Sequence, residues 1–192
     1  MTIHDIINRD ISVDPPQTPQ KPRLIKVENL LPLPEKQNLP LAFERSSFNY
    51  FFLSENKKYL GIKDVYQLKA SRVDGLLELD TGQIVLLEIK YALGWLKCCQ
   101  ARIQFQSFMK KRFYEKFNIR KPENALIVFH HFSGDWARTK KKGDKEIGWD
   151  NFYSEENDLK DLNENLVKID VLQLKSNEFF TVSSNENLVA YS

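Results

Sequence analysis

Apolar residues recur along this chain with two different periods. Over Leu41–Leu53 (LAFERSSFNYFFL) they return every three or four positions, the spacing of one helix face. Pro40 suits a first helical turn and Asn38 suits the cap, so a helix is predicted to begin there. Residues 66–79 (YQLKASRVDGLLEL) and 83–92 (QIVLLEIKYA) read as two strands. The second is apolar on both faces around Val85–Ile89, as in a central strand. Asp80-Thr81-Gly82 links them as a three-residue hairpin loop, with Gly82 in the left-handed third position. A long helix is predicted from Gly94 to Phe117. Its apolar face carries Trp95, Cys99, Ile103, Phe113 and Phe117, and its polar stripe Lys97, Gln100, Gln104, Ser107 and Lys111. Residues 124–132 (NALIVFHHF) read as a third buried strand, and 167–174 and 178–182 as the last two. The intervening 133–166 is rich in charge and turn residues, with helix expected near 155–165.

Six of the eight prolines lie in residues 1–37, which reads as an extended arm with one short strand near Leu24–Val27. The division is then an arm at 1–37, one domain at 38–183 and a tail at 184–192, as suits a chain of 192 residues. A hydrophobic share of 42% excludes a mainly disordered chain. No apolar run reaches the roughly 18 residues of a membrane span, so no membrane partner is expected. The opening MTIHDIINRDISVDPPQ lacks the basic start and apolar stretch of a secretory signal. The two cysteines, Cys98 and Cys99, are adjacent, which excludes a disulfide framework and a cysteine zinc cluster. An intracellular, reducing compartment is expected.

The chemistry concentrates in Arg72-Val73-Asp74-Gly75-Leu76-Leu77-Glu78 and, beyond the turn, Leu87-Glu88-Ile89-Lys90. Alternation along a strand puts Glu88 and Lys90 on one face. A three-residue loop sets Leu79 opposite Gln83, hence Asp74 opposite Glu88 and Arg72 opposite Lys90. A two-residue loop would send Asp74 to the other face. Two carboxylates brought together repel, and burial adds to the cost. A hard divalent cation offsets this: Mg²⁺ takes one or two carboxylates and keeps its other positions for water and phosphate oxygens. A lysine beside it orients or deprotonates the attacking water, an arrangement suited to phosphodiester hydrolysis.

Asp74, then Glu88-Ile89-Lys90 on the next strand, then a helix bearing glutamines, resembles the PD-(D/E)XK nuclease superfamily, in particular its resolvase-like and RecB-type branches. The likeness covers about residues 40–132. It implies an α/β, restriction-endonuclease-like fold with a central mixed β-sheet flanked by helices, and Mg²⁺- or Mn²⁺-dependent cleavage of DNA, with RNA left open. Asp74 and Glu88 would match the metal-binding acids and Lys90 the motif lysine. Glu44 is the best-placed candidate for the further helix glutamate and a third ligand. Gln100 and Gln104 are both candidates for the active-site glutamine of RecB-type members. Val73 stands where the proline that names the superfamily would be. Many relatives are dimers, so a homodimer is an open expectation. The rival readings are a degenerate nuclease fold that binds nucleic acid or protein without cutting, and a structural or assembly protein.

The net charge of +2 is too small to indicate a nucleic-acid partner, but its distribution changes the picture. From Lys97 to Lys121 the helix and its exit carry Lys97, Arg102, Lys110, Lys111, Arg112, Lys116, Arg120 and Lys121 against Glu115 alone. The next loop adds Arg138, Lys140, Lys141, Lys142 and Lys145, flanked by Trp136 and Trp149. Such segregation is the footprint of a phosphate-binding surface, with Lys97, Arg102, Lys110, Lys111, Arg138 and Lys140–Lys142 as candidate contacts. His130 and His131 point to opposite faces, so core packing and a strand-end hydrogen bond are expected rather than a shared metal. Cys98 and Cys99 read as packing residues. Glu78 shares the Asp74 face as a supplementary acid, and Asp80 lies nearby in the turn.

Overall fold

In the computed structural model, residues 20–34, 38–133, 167–175, 180–182 and 188–190 are described. Helix α1 (Leu39–Phe52) starts where the cap chemistry requires: the Asn38 side chain accepts from the Leu41 N–H at 3.2 Å, and Pro40 sits in the first turn. Its inner face buries Phe43, Phe48 and Phe51, together with Asn49. Asn49 spends its amide on the preceding segment: Leu31 N–H donates to Oδ1 at 2.6 Å and Nδ2 donates to Leu31 O at 2.9 Å. Arg45 Nη1 adds a bond to Pro32 O at 2.7 Å. The later part of the expected arm is therefore built into the fold, and β1 (Arg23–Lys26) lies within it, close to the expected strand.

A second helix, α2 (Ser54–Leu60), leads into β2 (Ile62–Lys69), β3 (Gly75–Leu79) and β4 (Ile84–Leu93). Helix α3 (Trp95–Lys110) and the single turn α4 (Phe113–Lys116) precede β5 (Asn124–Phe132), followed by β6 (Lys168–Gln173). The strands form one six-stranded sheet in the order β1-β2-β3-β4-β5-β6. Pairing is antiparallel from β1 to β4 and parallel from β4 to β6. The architecture is thus α/β, a mixed sheet with helices on both faces. Two short strands, β7 (Phe180–Val182) and β8 (Leu188–Ala190), pair antiparallel apart from it, β8 falling within the expected tail.

β4 is central, and its alternation divides the interior. Leu86 faces the core shared with Phe105 and Phe108 of α3, while Leu87 and Ile89 face the core shared with Phe43, Phe48 and Phe51 of α1. The hairpin forms in the expected register, with Gly75 opposite Leu87 and Leu77 opposite Val85. Leu79 N–H bonds Gln83 O at 2.9 Å, and Gly82 holds φ 79° in the third loop position.

Three expectations need correction. The single strand at 66–79 is two strands separated by a bend over residues 70–73, where Ala70 takes a left-handed φ of 55°. Leu68 N–H then bonds Asp74 O at 2.8 Å, and Arg72 leaves the ladder instead of facing Lys90. The helix expected from Gly94 to Phe117 breaks at Arg112, also left-handed with φ 52°. Finally, α3 is rotated relative to its expected face. Cys98, Ala101, Phe105, Phe108 and Met109 are buried, whereas Ile103 is 55% exposed. The helix expected near 155–165 lies outside the described residues.

Candidate active site

β4 delivers Glu88 and Lys90 to the α3 side of the sheet, and the hairpin register brings Asp74 beside them. Asp74 is held by the strand that bears Glu88: Ile89 N–H donates to Asp74 Oδ2 at 2.7 Å. The Asp74 backbone N–H in turn favours the charged form of Glu88. The hairpin register therefore positions the pair. Lys90 Nζ forms an ion pair and hydrogen bond with Glu88 Oε1. Glu88 Oε2 is buried with no hydrogen-bond partner among the described residues.

Glu88 is only 1% exposed, and burial, then the Asp74 charge, pushes its carboxyl up to about 8. Burial also raises Asp74, to about 6, with Glu44 adding to the rise and the Ile89 N–H and Lys90 opposing it. Glu44 of α1 is thus brought close enough for its charge to act on Asp74. It does not complete a ligand cluster: among the described residues, no group of three or more His, Cys, Asp and Glu side chains is placed to hold a metal ion. The donor set is a carboxylate pair. The unpartnered, buried Glu88 oxygen beside Asp74 fits a hard cation, which would favour the charged form of both groups.

The two raised carboxyls set a pH dependence. The metal-free folded protein keeps protons that the unfolded chain loses near 3.8 and 4.5, so their contribution is fully present below those values. It is lost as pH rises through about 6 and then about 8. In EDTA the melting temperature is expected to fall by roughly 5–10 °C between pH 5 and pH 8. Added Mg²⁺ should recover most of that loss at pH 8 and little at pH 5. A flat profile in both conditions would mean that the carboxyls ionise at ordinary values.

The remaining candidates separate. Gln100, Lys97 and Lys110 are exposed on α3, whereas Gln104 is half-buried further along the helix with its Oε1 lacking a partner among the described residues. Lys111, exposed, caps the C-terminal end of α3. Arg102, expected as a surface phosphate contact, is 6% exposed and belongs to the interior. Glu78 is engaged elsewhere, by Lys63 Nζ at 2.9 Å and the Tyr66 hydroxyl at 3.4 Å. Arg138, Lys140, Lys141, Lys142, Trp136 and Trp149 lie outside the described residues.

His130 does what its strand-end position suggested. Its Nδ1 donates to Leu174 O at 3.1 Å, which fixes the proton there, and its ring stacks on Tyr91 with centroids 5.2 Å apart. Cys98 is buried, and burial pushes the Cys99 thiol up, away from a nucleophile's range. Sequence reasoning missed Lys69, whose charge favours the ionised form of Asp74. The sequence carried no signal for it, because Lys69 comes near Asp74 only where the chain folds back at 70–73.

No protein-family model matches the chain, and neither a curated protein nor a solved structure matches it. Among the described residues no helix is long and apolar enough to cross a membrane.

Proposed function

We propose that this chain is a divalent-metal-dependent phosphodiester hydrolase of the PD-(D/E)XK type, with a restriction-endonuclease-like sheet, acting on DNA. The observation that carries this reading is the acid pair, Glu88 buried and Asp74 half-buried beside it, with Lys90 on one oxygen of Glu88 and no hydrogen-bond partner among the described residues on the other. A fold has no stability reason to hold two carboxylates this way, because desolvation and mutual repulsion both oppose it. Such costs cluster where charge is used for chemistry.

Asp74 and Glu88 are the residues that would hold Mg²⁺ or Mn²⁺, and Glu44 adds negative charge beside Asp74. When bound, the ion supplies Lewis-acid stabilisation of the charge that builds on the phosphoryl oxygens. The chain's own contribution is positioning. The main-chain bond from Ile89 keeps Asp74, and the ion pair with Lys90 keeps Glu88, from turning away as they ionise. Lys90, on the same face, orients an attacking water and steadies negative charge on the phosphate. The Lys90 side chain is 19% exposed, against 1% for that of Glu88.

A cleavage assay across duplex, single-stranded and branched DNA, with Mg²⁺ or Mn²⁺, tests the reading. Metal-dependent strand scission is expected. Asp74→Asn and Lys90→Ala should each lower it by about 100- to 1000-fold with unchanged circular dichroism. Scission that persists in EDTA, or full activity in Asp74→Asn, would sink it.

A further inference from the structure

A cleft of about 330 Å³ opens between the 70–73 bend and the C-terminal half of α3. Its walls carry Ser71, Arg72, Gln104, Ser107, Lys111 and Phe113. No carboxylate lines it. Arg72 and Lys111 are exposed, and neither makes an ion pair among the described residues. Two cations facing one cavity without a counter-charge repel, and an anion between them reverses the sign of that interaction. The Ser71 oxygen already accepts from Val73 N–H at 3.3 Å, so its hydroxyl proton remains to be donated outward. Ser107 offers a second hydroxyl, and the buried Gln104 Oε1 requires a donor. An anion that also carries donor groups answers all these demands. A phosphate attached to sugar and base is such a ligand; an anion without donors, such as sulfate or chloride, is not.

Position narrows the ligand further. Val73 lines the cleft and Asp74 is the next residue in the chain, so the cleft adjoins the segment that carries the first acid. The volume is at the low end for ligand sites: room for one phosphate with part of its nucleotide, and not for a duplex.

We propose that this cleft binds one phosphodiester of the nucleic-acid strand, next to the position that is cut. Arg72 supplies a planar fork and Lys111 a point charge, with the serine hydroxyls completing the donor set. The assignment rests on the hydrolase reading above for the meaning of the neighbouring acid pair, and its test does not depend on cutting.

The full chain in EDTA is titrated into a fluorescent single-stranded oligodeoxynucleotide, and anisotropy is followed over a range of salt. Joint Arg72→Ala and Lys111→Ala substitution should weaken binding at least about 10-fold and flatten the log–log salt slope by about 0.7 for one lost phosphate. Asp74→Asn should bind as well as the parent chain or more tightly. Both substituted cations are exposed, and Lys111→Gln alone, expected to show a smaller shift of the same sign, guards against misfolding of the double variant. An unchanged affinity and slope in the double variant overturns the cleft, and its continued cutting would leave the hydrolase reading intact. Cleft-dependent binding without metal-dependent scission on any substrate sinks the hydrolase reading and keeps the cleft. If inorganic phosphate or thymidine monophosphate displaces the oligonucleotide at equal concentration, the cleft serves small phosphates and the strand assignment is wrong.

Discussion

Glu88→Gln is expected to lower metal-dependent cleavage by roughly 1000-fold while raising the melting temperature of the metal-free protein at pH 8. The two effects share one cause. Burial and the neighbouring Asp74 hold the Glu88 carboxyl up to about 8, so near that pH the group begins to ionise in surroundings that oppose its charge. Glutamine has nearly the shape of the protonated acid, keeps an oxygen for Lys90, and cannot ionise. It removes the conflict and with it the charge that would hold a cation. A gain of a few degrees is expected at pH 8 and almost none at pH 5, where Glu88 retains its proton in the parent chain. Differential scanning fluorimetry across pH, paired with the cleavage assay, measures both. A variant that loses stability equally at both pH values would show that Glu88 acts as an ordinary packing residue.

The largest stability effect is expected from Gly75→Ala. A Cβ at this position would lie 2.4 Å from the Tyr66 carbonyl oxygen and 2.7 and 2.9 Å from two ring carbons of Phe48. The carbonyl belongs to β2 and cannot retreat without disturbing the β2–β3 ladder. The Phe48 ring is fully buried, so it can yield only by displacing its core neighbours. One methyl group must therefore push α1 away from the sheet. A loss of about 3 kcal/mol or more is expected, read as a lower denaturant midpoint at unchanged slope. Because α1 carries Glu44, the same shift should weaken the influence of Glu44 on Asp74. A midpoint within about 1 kcal/mol of the parent would mean that α1 is not seated on Gly75 as tightly as these distances require.

The hairpin was legible because two independent signals agreed. Asp80-Thr81-Gly82 specified a loop length, and strand parity then fixed which side chains meet. The convergence of Asp74, Glu88 and Lys90 follows from those two facts alone. The bends at Ala70 and Arg112 were not legible, because both residues adopt a left-handed backbone that their type disfavours and neither is marked by Gly, Asn or Pro. Tertiary contacts override local preference at both places. The face of α3 was misread for a related reason: Arg102 is inside and Ile103 outside, so hydropathy points the wrong way across one peptide bond. What decides the matter is the shape of the sheet, which requires Phe105 and Phe108 to fill the space over Leu86. The cleft beside Arg72 was invisible for the same reason, since it exists only because the chain bends at 70–73 and α3 ends opposite that bend.

The meander of β2, β3 and β4 has a kinetic consequence. These strands are contiguous over residues 62–93, so their pairing closes short loops, and hairpins of this kind form in about 1–10 μs. Asp74 and Glu88 are neighbours from that moment, while water still surrounds them. The parallel pairing of β4 with β5 waits on residues 94–123, and α3 lies within that connection. The layer that dries the carboxylates is thus expected to close after the register has formed. Their repulsion is then mild at the first step and severe at the second, and any part of it that falls after the folding barrier shortens the lifetime of the native state rather than slowing its formation. A bound cation would lengthen that lifetime.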